Sequence, residues 1–281
     1  MQIKKLSNYN PDKEVEINVK DMVAWNFIRV DRFLQYLRDN RREILEIFIT
    51  NLEQKYTSVT RTKYKLSDID IFTETFEKLQ IVKNHPNLLD SIINLVLSAL
   101  EITSDFKWES SVLNVAQITT KRAWLDSHIY FSELLTEMLD REEAINFLRN
   151  YFVFNVNEYG NIKQHESLQS GFKSDYESGK RDENTKLVSI LLNEGLYATR
   201  VDICMLSEAL KEYPDSEIKH TVCCSADHAI VKKANENFVL TRTSTLMNGP
   251  YCDFCCHDTR IMEKIEHPSK EFYEKLGESE I

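Results

Sequence analysis

Apolar residues recur at intervals of three and four through the first half of the chain. In the segment DMVAWNFIRVDRFLQYLRDNRREILEIFITNLEQKY, the residues Val23, Phe27, Val30, Leu34, Leu37, Ile44, Ile47 and Phe48 fall on one stripe. That spacing predicts one long amphipathic helix or two joined ones. The same period predicts helices over about 67–83, broken near Asn84-His85-Pro86, and then over 87–102, 110–138 and 141–157. Asp140 stands at the capping position of the last of these, with Glu142 and Glu143 in its first turn. No proline interrupts the chain between Pro86 and Pro214, and the tryptophans and most Phe and Tyr residues lie in this half, where they are assigned to its core.

The apolar period is lost over residues 159–183, a stretch that holds Gly160, Gly171 and Gly179, and a linker or lid loop is expected there. Beyond it the texture changes. A helix is predicted near 184–197, followed by a second helix capped by Asp202 and ending before Pro214. IKHTVCC is predicted to be a strand, ADHAIVKKAN a short helix, NFVLTRTSTLM a strand, NGP a turn, and YCDFCCHD a third strand. The expected fold class is therefore α+β. A helical domain spans 1–158, a linker or lid 159–183, and a cysteine-rich α+β domain with a short antiparallel sheet 184–281.

Strand alternation governs how the cysteines can be used. Neighbouring side chains on a strand point to opposite faces. Cys223 and Cys224 would then diverge, as would Cys255 and Cys256. Cys252 and Cys255 would diverge too, although they are spaced C-x-x-C. A zinc knuckle needs that pair in a tight turn with a second ligand pair, so the pattern argues against a metal. Cys255 and Cys256 are assigned to packing.

The same alternation puts Arg242 on a face with Phe238, Leu240 and Leu246. A guanidinium among apolar neighbours needs an anion. Two readings follow: a salt bridge to Asp227 or Asp253, or a bidentate clamp for a substrate carboxylate. Cys204, two residues after the expected cap Asp202, would have its thiolate favoured at a helix start; a small apolar packing residue is the alternative.

Composition narrows the function classes. Hydrophobic content of 42% and charged content of 28% fit a globular protein. A formal charge of −10 argues against a general nucleic-acid or anionic-membrane binder. The amino-terminal residues show no apolar signal segment, and the longest apolar stretch, SIINLVLSAL, is about half a membrane span. A cytoplasmic protein is expected, in which disulfides are rare. The chain has no G-x-x-x-x-G-K-[ST], G-x-G-x-x-G, G-x-S-x-G or H-E-x-x-H, so no cofactor is expected and any chemistry falls to Cys, Asp and Arg.

Cys204, the run VCCSAD ending at Asp227, and LTRTSTLMNGPYCDF, taken in order, resemble the C-terminal signature of the L-2-amino-thiazoline-4-carboxylic acid hydrolase family. The matching positions are Cys204, Cys224 with Asp227, Arg242 with Thr245 and Leu246, Gly249, and Cys252-Asp253-Phe254, within roughly 195–256. The chain departs from the family pattern after Phe254, where Cys255-Cys256 add two thiols. The resemblance implies hydrolysis of a cyclic amidine, with water or a thiolate attacking the C=N carbon of a thiazoline ring. Catalytic candidates are then Cys252, Asp253, Cys224 and Asp227. Arg242, Cys204 and Thr245 would bind a small-molecule substrate carrying a carboxylate. A biosynthetic relative running related ring chemistry is also compatible. The other function classes are a small-molecule or metal-binding sensor and a non-catalytic partner in an assembly.

Overall fold

The computed structural model describes every residue except 1, 66–68, 104, 109–110 and 279–281. The chain forms two compact units, Asp12–Tyr151 and Met1–Pro11 joined with Phe152–Ile281. The chain opens with strand β1 (Gln2–Leu6), which belongs to the second of these.

In the first unit, β2 (Glu14–Asn18) leads into α1 (Val19–Asn40), whose N-cap Asn18 accepts from the Asp21 amide. Val23, Phe27, Val30, Leu34 and Leu37 form its buried stripe, as the periodicity predicts. After a 3-10 turn the chain continues as α2 (Leu45–Val59), so the predicted long helix is two joined ones. The single helix predicted over 67–83 does not form. Its described part is a 3-10 turn, the four-residue α3 (Thr73–Phe76) and a second 3-10 turn, while residues 67–68 lie outside the described residues. The buried carboxylate of Asp31 accepts from the amides of Gln80, Ile81 and Val82, an anchor that suits a turn there.

α4 (Pro86–Ala99) starts at its proline, as expected. The helix predicted from 110 begins only at Gln117. Val112–Ala116 form β3 instead, pairing antiparallel with β2, and α5 (Gln117–Met138) follows. β-branched alternation favours a strand once a partner is available, and that partner lies about a hundred residues upstream. α6 (Arg141–Tyr159) is capped by Asp140, whose Oδ1 accepts from the amides of Glu142 and Glu143. Many of the aromatic residues assigned to the core do fill it, since Phe33 stacks on Phe131 at 4.0 Å between centroids and meets Phe48 and Tyr151, but Trp25 and Tyr159 are exposed, against the assignment.

In the second unit, residues 159–183 contain α7 (Leu168–Asp182), a correction to the expected loop. Ser167 and Ser170 form a capping box, and Leu168 and Phe172, one turn apart, are buried. Gly179 ends no helix. A side chain there would meet Leu6, so glycine permits the approach of β1.

The helix predicted near 184–197 is also replaced, by the hairpin β4 (Thr185–Asn193) and β5 (Leu196–Cys204). The apolar run LVSILL suits either state by pattern alone. Pairing with β1 and β5 on either side decides it, and at the turn Asn193 Oδ1 accepts from the Gly195 amide. Asp202 lies in β5 paired with Arg200 rather than capping a helix, and the following α8 (Met205–Ala209) is a single short turn. IKHTVCC is part of α9 (Ser216–Cys224), not a strand: Asp215 caps its amides, and Ile218, Thr221, Val222 and Cys224 bury one face.

α10 (Asp227–Ala234), β6 (Phe238–Thr241), β7 (Cys252–Asp258) and α11 (Lys270–Glu278) complete the unit. β6 is shorter than predicted, and the chain leaves the sheet at Arg242. The five strands run in the order β1-β4-β5-β7-β6, every neighbouring pair antiparallel, so the fold class is α+β. Among the described residues, no helix is long and apolar enough to cross a membrane.

Candidate functional site

The side-chain alternation of β7 holds in the structure. Cys256 packs with Leu168, Phe238 and Leu240, on the face covered by α7 and α10. Cys255 packs on the opposite face with Val188, Ala198, Tyr251, Tyr273 and Leu276, under α11. Cys252 and Phe254 share parity with Cys256, whereas Asp253 and His257 share it with Cys255. The neighbours Cys252 and Asp253 therefore belong to different environments.

Arg242 follows Leu240 by two positions and reaches the helices on the α10 face. Its guanidinium is 7% exposed and donates from Nη1 to Asp227 Oδ2 at 2.5 Å. Nη2 donates to the Cys224 carbonyl at 3.1 Å and to His220 Nε2 at 3.4 Å. Because Arg can only donate, His220 accepts through Nε2 and carries its proton on Nδ1. The Phe254 ring covers the guanidinium at 5.7 Å. Of the two readings of Arg242, the structure contains the ion pair with Asp227. Both terminal nitrogens donate to protein acceptors, Nη1 to Asp227 and Nη2 to the Cys224 carbonyl and His220.

Asp227 opens α10 with about a quarter of its side chain exposed. Burial pushes its carboxyl up to about 6, against the opposing pull of Arg242. Cys224 and Cys252 lie near it: Cys252 lies within electrostatic reach of Cys204, Asp227 and Arg242, and Cys224 within reach of Asp227, Arg242 and Cys252. Although α9 replaces the expected strand, Cys224 still reaches this group from the helix C-terminus. Burial pushes the Cys252 thiol up to about 12, even though the Leu246 amide donates to its sulfur at 3.2 Å. Cys224 is raised further by burial and by the neighbouring carboxylate. Neither is a thiolate at neutral pH.

Asp253 and Thr245 do not join this cluster. Asp253 is 4% exposed and accepts from the amides of Thr243 and Ser244 and from the Thr243 hydroxyl, which fixes the chain where it leaves β6. His267 Nε2 lies 3.3 Å from Asp253 Oδ2, and its Nδ1 lies 3.0 Å from the Thr241 hydroxyl, which also meets His257 Nε2. Thr245 is buried in a turn, its amide and hydroxyl both directed to Asn248 Oδ1. A side chain at Gly249 would run into Ser244 Oγ, which explains a glycine in that turn. Among the described residues, no group of three or more His, Cys, Asp or Glu is arranged to hold a metal ion.

Beside Asp227 lies a cavity of about 270 Å³ between the sheet and the helices α7 and α10. Asp175 and Tyr176 of α7, Asp227 of α10, and Tyr197, Phe254 and Cys256 of the sheet line it. A second cavity of about 340 Å³ shares Asp175, Tyr197 and Cys256 with it. The volume is near the lower end of the range for small-molecule sites and suits a single ring. Asp175 and Tyr197 were not singled out by the sequence. They carry no motif, and they reach the cavity only through a helix and a hairpin that the pattern reads otherwise.

These lining residues fall within one stretch that matches a family model. Residues 119–256 match the model of the L-2-amino-thiazoline-4-carboxylic acid hydrolase family. The match begins well before the C-terminal signature and covers Asp175, Tyr197, Asp227, Arg242 and Cys252 together. It supports a hydrolase-type function of that family. No curated protein and no solved structure matches the chain.

Proposed function

We propose that the protein hydrolyses a cyclic amidine of the thiazoline type, with Asp227 as the acid–base residue and Arg242 as the residue that positions it. The observation that carries this reading is Asp227 itself. Its carboxyl lines a ring-sized cavity, is held by a buried guanidinium, and is pushed up to about 6 by burial. A base poised near neutrality is what activation of water requires. In this reading Asp227 takes a proton from a water that adds to the C=N carbon. The tetrahedral adduct then collapses with loss of one endocyclic bond, and Asp227 returns the proton to the leaving atom. Cys224 and Cys252 remain neutral thiols beside that carboxylate. Cys252 would act as a nucleophile only if Asp227 first took its proton.

Incubation with 2-aminothiazoline-4-carboxylate, followed by product analysis, tests the reading. Turnover that falls at least about a hundredfold in Asp227→Asn with the fold retained is the expected result. Full activity in that variant, or no turnover of any cyclic amidine by the unaltered protein, would remove the proposal. A covalent adduct at Cys252 detected by mass spectrometry during turnover would replace water by the thiol as nucleophile.

A further inference from the structure

The charge character of the cavity points to what it recognises. Its charged lining residues are two carboxylates, Asp175 and Asp227, brought from different helices. Arg242 is engaged with Asp227, Lys4 lies over the rings of Phe172 and Tyr176, 5.0 and 4.5 Å from their centroids and outside the lining, and Lys163 and His165 line only the adjoining cavity, where Lys163 Nζ donates to Ser174 Oγ at 3.4 Å. Tyr197 adds aromatic surface, whose face attracts a cation, while the rings of Tyr176 and Phe254 already face Lys4 and Arg242. Asp175 sits at the exposed rim, and the Tyr197 hydroxyl donates to its Oδ2 at 2.8 Å, which leaves Oδ1 to a ligand. A carboxylate held by a tyrosine, opposite a second carboxylate and among aromatic rings, is complementary to a planar cation.

We infer that Asp175 is a specificity-determining residue that binds the protonated exocyclic nitrogen of the ring, with Tyr197 orienting it, so that the cavity selects a cationic cyclic amidine over a neutral ring of the same shape. The assignment rests on the hydrolase reading for the placement of the ring beside Asp227, and it reverses the expectation of a carboxylate clamp. The site selects through the positive end of the substrate.

Calorimetric binding with two probes tests it: 2-amino-2-thiazoline, whose isothiourea group is protonated at neutral pH, and the neutral ring 2-thiazolidinone. The unaltered protein is expected to prefer the cation. Asp175→Asn should weaken binding of the cation about tenfold, the scale of one lost hydrogen bond to a charged group, and leave the neutral ring unchanged. Tyr197→Phe should cost about threefold in the same direction. Glu177→Gln, which removes an exposed charge from the same helix, should change neither. Equal weakening of both probes by Asp175→Asn, or no preference in the unaltered protein, overturns the inference. Absence of turnover with the preference intact removes the hydrolase reading and leaves this binding assignment standing.

Discussion

Arg242 and Asp227 form a buried ion pair, Nη1 to Oδ2 at 2.5 Å, in which the cation is almost fully enclosed and the anion borders a cavity. The asymmetry matters. A guanidinium held by a carboxylate, a carbonyl and an imidazole has little freedom, so the carboxylate it grips has little freedom either.

Replacing Arg242 with Met should strand the Asp227 carboxylate and lower stability by about 2–4 kcal/mol, at the lower end for a broken buried pair because Asp227 keeps some solvent contact. Adding Asp227→Asn to that variant should recover most of the loss. Denaturant unfolding of the single and double variants decides it. If the double variant is no more stable than the single one, the two side chains are not energetically paired.

The raised carboxyl of Asp227 fixes the sign of two pH effects. Its folded value of about 6 lies above the usual aspartate value of about 3.9, so the folded state binds the proton more tightly. Its contribution to stability is therefore full below about pH 4 and is lost as pH rises through about 6. Activity should run the opposite way, with kcat/KM rising through about pH 6 as the base deprotonates. Comparing the pH profiles of unfolding with those of Asp227→Asn isolates the first effect. A variant with an unchanged stability profile would show that Asp227 is not the titrating group.

Thiol reactivity should be low throughout the folded state. Cys252, Cys255 and Cys256 are buried and each is pushed up to about 12 by burial, and Cys223 and Cys224 are raised further. Iodoacetamide at neutral pH should label no more than Cys204 in native protein within the time that labels all six cysteines in denaturant. Rapid native labelling of Cys252 would reveal a thiolate there and favour the covalent route.

Asp253 should act as a turn anchor. Removing its carboxylate leaves two amides and a hydroxyl without their acceptor, so Asp253→Ala should cost about 2–4 kcal/mol. Turnover should fall because Arg242 is displaced, and any rise of the midpoint set by Asp227, as the pull of Arg242 weakens, should accompany that loss of stability. A shifted midpoint with unchanged stability would instead put Asp253 in the acid–base machinery.

Side-chain periodicity alone determined much of this protein. The stripe of α1, the cap at Asp140, the short helix after Asp227 and the opposed faces of Cys255 and Cys256 all follow from rules that depend on a few consecutive residues. The family resemblance rested on the ordered set of Cys204, Cys224 with Asp227, Arg242 with Thr245 and Leu246, Gly249, and Cys252-Asp253-Phe254, of which Asp253 and Thr245 lie apart from the Asp227–Arg242 pair.

Tertiary structure decided what local pattern leaves degenerate. IKHTVCC has the β-branched composition of a strand, yet Asp215 caps it and one face is buried, so it is helical. LVSILL fits either state and becomes a strand because β1 and β5 supply hydrogen-bonding partners on both sides. Long-range packing also bound Arg242 to Asp227 and brought Asp175 and Tyr197 to the cavity. A side chain's partner across a sheet or under a helix is set by register and by which elements meet, and neither is encoded within reach of a local window.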